Sequence, residues 1–112
     1  MTTHITDEQI QQLVATAQPY TVALLSWAPK RHQDGAAAIE LEHQRRMTSL
    51  RADGVIAVLC PVLSDTLCGV AIMTVPADEA RALMNEDPCV QAGMMTCEVQ
   101  PCLGFPGDAM PA

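Results

Sequence analysis

The side chains in this chain that can move a proton or attack a ligand are three histidines, five cysteines and a set of carboxylates. His43 is the sharpest of them. It stands four residues after Ile39 and four before Met47, so on a helix it shares their apolar stripe and points inward. An inward imidazole must satisfy two ring nitrogens, and its charge changes near neutral pH, which is the chemistry of a general acid or base. The competing reading is a core histidine bonded to a carbonyl. Asp87, in Asn85-Glu86-Asp87-Pro88, also has two readings. It is either a turn aspartate bonding nearby amides or a carboxylate that enters the pocket of His43, fixes the imidazole tautomer and stabilises the imidazolium. His4 and His32 lie in polar text and read as solvated.

Arg46 follows His43 by three residues. Either it borders the same pocket and grips an anionic substrate, or it is a solvated helix flank. Cys60, Cys68, Cys89, Cys97 and Cys102 are an odd set scattered through strand-like text, which reads as buried free thiols in a reducing compartment. No C-x2-C spacing or zinc-spaced His partner accompanies them, so no metal is expected, and no cofactor motif appears. Cys60 and Cys89 are the two thiols that the order of elements brings toward His43, as ligand contacts or, with a depressed pKa beside a cation, as a nucleophile. Gly104-Phe105-Pro106-Gly107 precedes no helix and is not a phosphate loop.

These residues need elements to position them. Thr6 to Gln9 form a capping box, after which Ile10, Leu13, Val14 and Ala17 recur at helical spacing until Pro19. Tyr20 to Trp27 reads as a mostly buried strand and Ala28 to Gly35 as a polar loop. Asp34 is the expected N-cap of a helix over 36–53, with Ile39, His43, Met47 and Leu50 inward and Glu40, Gln44, Arg45 and Arg51 in water. Val55 to Leu63 and Leu67 to Val75 are two apolar runs that form a hairpin around Ser64, Asp65 and Thr66, with Pro61 ending the pairing or sitting at an edge. Ala77 to Glu86 is a further helix that Asp87-Pro88 stops. Beyond a turn at Gly93, Met94 to Cys102 is the last strand. Met47, Met73, Met84, Met94 and Met95 read as adaptable core or interface filler.

The order is an extra helix followed by βαββαβ, the pattern of a ferredoxin-like α+β sandwich. Residues 1–18 form the helical extension, 19–102 the sandwich and 103–112 a Pro/Gly-rich tail. Strand text that is apolar on both sides of the pleat leaves one sheet face to be covered, for which a homodimer is the economical answer.

Composition narrows the function. Three aromatic residues, Tyr20, Trp27 and Phe105, provide no row of rings for nucleobases, and a net charge of −7 repels phosphate backbones and anionic lipid. No apolar run approaches a membrane span, and the first residues lack the basic and apolar regions of a signal peptide, so a cytoplasmic protein is expected.

The stretch from Leu41 to Cys102 resembles the YciI-like (YCII-related) family. The resemblance is carried by EHQRRMTSLRADGV, CPV, CGVAIM, DEARALMNEDP and AGMMTCEVQPC, and extended back to Tyr20 it covers roughly three-quarters of the chain. It implies a ferredoxin-like fold, dimers of the α/β-barrel type and an active site built on a His and an Asp, which match His43 and Asp87. Cys60, Cys89 and Cys102 stand where the family usually has Gly, an apolar residue and Trp, which puts sulfur in the pocket floor. The function expected is a small-molecule lyase or isomerase using the His-Asp pair. The alternative is a non-catalytic ligand-binding or accessory dimer, and composition does not separate an enzyme from it.

Overall fold

The computed structural model describes residues 2–112. Thr6 caps helix α1 (Asp7–Val14) through the expected box, its hydroxyl accepting from the Gln9 N–H and its own N–H donating to the Gln9 side chain. The apolar stripe of α1 nevertheless stays out of the core, with Ile10, Leu13 and Val14 each about half exposed. The helix ends well before Pro19, which lies inside strand β1 (Gln18–Trp27).

Helix α2 (Ala36–Ala52) does not begin at an Asp34 cap. Gly35 occupies the N-cap position with φ 78°, no side chain caps the helix, and the Ala36 N–H donates to Gln33 O at 3.1 Å. A tight turn leads the chain into α2, so the first amide is satisfied by backbone and Asp34 is left exposed. The inward stripe is as expected, with Met47 buried and Ile39 and Leu50 packed on the core.

Strands β2 (Ile56–Pro61) and β3 (Leu67–Met73) form the hairpin, and Pro61 is the last residue of an edge strand, where its missing N–H is tolerated. Helix α3 (Ala77–Asn85) follows, with Glu86 as its C-cap. The segment expected to be only a turn contains a further short helix, α4 (Pro88–Gln91). Asp87-Pro88 both stops α3 and starts α4. Asp87 is the N-cap, accepting from the Cys89 and Val90 amides, and Pro88 sits in the first turn, where no N–H is needed. Strand β4 (Met95–Gly104) runs two residues past Cys102 because it pairs with β1 back to Gln18.

The fold is α+β. Its four strands form one antiparallel sheet in the order β2-β3-β1-β4, compatible with a ferredoxin-like arrangement. Opposed residues share a face of the pleat. Ala23 and Ala71, Thr21 and Met73, and Ala23 and Val99 meet on the helix side, and all are buried. Methionines 47, 73, 84, 94 and 95 belong to this core. Buried Thr21 is satisfied by donating to Val75 O at 2.7 Å. The opposite face carries the pairs Val22–Ile72, Leu24–Val70, Val58–Ile72 and Cys60–Val70, all half-buried. Among the described residues no helix is long and apolar enough to cross a membrane.

Candidate functional site

α2 brings His43 in from one side and the α3–α4 junction brings Asp87 in from the other. The imidazole Nδ1 lies 2.8 Å from both carboxylate oxygens. A carboxylate can only accept, so Nδ1–H donates to it and the second ring nitrogen, Nε2, is left free for other work. Asp87 is completely buried, and its Oδ2 also accepts from the Cys89 and Val90 amides at 3.0 and 3.4 Å. Those two amides hold the carboxylate at the electropositive end of α4, and the carboxylate in turn holds the ring. One carboxylate therefore both caps a turn of helix and bonds the His43 ring.

His43 is 14% exposed at its side chain and forms part of the wall of a cavity of about 460 Å³ between α2 and the β2–β3 hairpin. With Nδ1 turned to Asp87, Nε2 is the ring nitrogen left to serve a ligand in this cavity. Leu25, Met47, Leu59 and Met95 contribute apolar wall. Glu40, Gln44 and Thr48 line it too; Gln44 and Thr48 are exposed, as expected for Gln44, while Glu40, also expected in water, is half-buried. They fall on one stripe with His43, at the i, i+3, i+4 and i+8 positions, which is the signal that finds them. Trp27 closes one end. Its indole N–H donates to Ser64 O at 3.2 Å, and the Arg31 guanidinium stacks on the ring 3.9 Å from its centroid.

The remaining candidates divide. Cys60 lines the cavity, and so does Cys68. Cys89 does not: it is fully buried behind the His43–Asp87 pair. Burial, with the charges of Asp87 and Glu40 adding to it, pushes its thiol up to about 12, the opposite of what a nucleophile requires. Arg46 is not in the cavity wall, and its Nη2 lies 3.6 Å from the Glu86 carboxylate. His43, Asp87 and Cys89 offer one ligand atom each within 4.8 Å of one another, the only group of this kind found among the described residues. Holding a metal there would cost the hydrogen bond between Nδ1 and the carboxylate and the proton on a thiol that burial protects.

An imidazole oriented by a buried carboxylate, in a residue that lines a cavity, has the make-up to take a proton from a bound molecule and return it. No family model matches the chain, and no curated protein matches it.

Proposed function

We propose that the chain is a YciI-like, ferredoxin-like protein that acts on a small molecule as a lyase or isomerase, with His43 as the general acid–base and Asp87 as its positioning partner. The observation that carries this reading is the 2.8 Å contact of Nδ1 with a fully buried carboxylate while the rest of the ring borders a cavity. A histidine kept only for packing has no need of an adjoining chamber. The sheet face bearing Val22, Leu24, Val70 and Ile72 is the surface on which a second copy packs in this reading.

The test begins with compounds that raise the melting temperature in a thermal-shift screen. Each hit is incubated in D2O and followed by NMR for exchange of its C–H protons or for elimination. Wild-type protein is expected to catalyse one of these, and folded His43→Ala is expected not to. Equal rates with wild type and His43→Ala would remove His43 from the mechanism.

A further inference from the structure

The electrostatics of the cavity point to a ligand class. Glu40 is the single Asp, Glu, Lys or Arg side chain in its wall among the described residues. The residue is half-buried, and its carboxylate enters no ion pair or hydrogen bond among the described residues, unlike Asp78 with Arg81 or Glu42 with Arg45. Neither Arg31 nor Arg46 pairs with it, although one guanidinium nitrogen of Arg46, Nη1, is buried without a partner. Arg46 is turned to Glu86, and Arg31 lies over the Trp27 ring, 3.8 Å from Asp65. Burial chiefly raises the Cys68 thiol in the cavity wall above its ordinary 9.0; Arg31 opposes the rise, and the charges of Asp87 and Glu40 add to it. The buried Asp87 carboxylate adds negative potential behind His43.

An unpaired carboxylate beside an apolar wall is complementary to a cation or a strong N–H donor on a small apolar body, and it repels an anion. We infer that the cavity binds small amines, with Glu40 accepting from the amino or ammonium group while Leu25, Met47, Leu59 and Met95 take the carbon skeleton beside His43. An anionic substrate, one of the two readings of Arg46, is the opposite class. The inference rests on the acid–base reading insofar as it treats this cavity as the place where His43 works. The selectivity itself comes from Glu40.

Phenethylamine, hydrocinnamate and phenethyl alcohol share a body and differ in the charge of the head group. Each is titrated into the intact chain and followed by NMR at the Trp27 indole N–H and the His43 ring signals. Phenethylamine is expected to bind about tenfold or more tightly than hydrocinnamate, with the alcohol between them, the size expected of a charge-assisted bond. Added salt should narrow the preference. Glu40→Gln should abolish it and Glu40→Lys should reverse it, each checked for folding by its melting temperature. Hydrocinnamate binding as tightly as phenethylamine overturns the inference. So does an amine that leaves the cavity signals unmoved at millimolar concentration, or unchanged amine affinity in Glu40→Gln. The wild-type comparison decides even if neither variant folds. Failure of the acid–base reading looks different: exchange or elimination that survives His43→Ala while the amine preference stands.

Discussion

Asp87 uses one carboxylate for two tasks, capping α4 and holding His43, and substitutions separate them. Asn caps a helix nearly as well as Asp and still presents an oxygen to Nδ1–H, but it carries no charge to stabilise an imidazolium. Asp87→Asn is therefore expected to slow turnover roughly 10- to 150-fold, the equivalent of about 1.5–3 kcal/mol, with a smaller loss of stability. Asp87→Ala should lose about 1 kcal/mol from the cap and a further 1–3 kcal/mol from the orphaned ring N–H. Rates and melting temperatures measured side by side check this, and a near-normal Asp87→Asn in both would refute the dyad. The thiols make a second prediction. Cys89 is pushed up to about 12 and Cys97 to about 11, in both cases chiefly by burial, from an ordinary 9.0. The folded state thus holds these protons more tightly than the unfolded chain does. The stability this contributes is complete below pH 9.0 and is lost as pH rises from there toward the folded values. Urea midpoints should fall between pH 8 and 11, and fall less in Cys89→Ala measured against its own neutral value.

At the scale of elements, α1 and α4 are both short, but only one is held. α1 has 8 residues and buries none, below the ~12–15 residues at which an isolated helix becomes even marginal in water. Its amides should exchange quickly, and a chain lacking residues 2–15 should melt close to the full-length temperature. A fall of more than a few degrees would show that α1 is held by contacts of its own. α4 has 4 residues and is fixed by the Asp87 cap at one end and Gly93 at the other. Gly93 has φ 75°, and a Cβ there would lie 3.1 Å from Lys30 Cδ. Lys30 can move aside, but the left-handed backbone cannot be relieved. Gly93→Ala is expected to cost about 1–2 kcal/mol and to loosen the loop that positions Asp87, read as a lower urea midpoint.

For the whole molecule the open question is the second face of the sheet. A chain of 12.0 kDa that leaves Val22, Leu24, Val58, Val70 and Ile72 on one side of its sheet presents an apolar face, the one proposed to receive a second copy. Sedimentation at micromolar concentration is expected to give twice that mass. Leu24→Glu with Ile72→Glu should give a folded monomer, because neither residue belongs to the helix-side core. A wild-type monomer would leave the apolar face to some other partner.

Local pattern was enough to read much of this protein from its sequence. Period 3.6 around Ile39, His43 and Met47, alternating or continuous apolar runs, the Thr6 box and the breakers at Asp87-Pro88 are all properties of neighbouring residues. They determined the α+β class, the inward direction of His43 and the methionine core. What tertiary structure decided depends on residues far apart in the chain. Asp87 is 44 positions from His43, and whether its carboxylate served a turn, a histidine or both was settled only when α4 docked beside α2. The surroundings of Arg46 and Glu40 were decided in the same way. Periodicity tells which stripe of a helix turns to the core, but whether the next stripe meets bulk water or a cavity depends on how far the facing hairpin reaches. Here β2 packs on α2 but leaves a chamber beside it, so Glu40 lines that chamber while Arg46 meets Glu86.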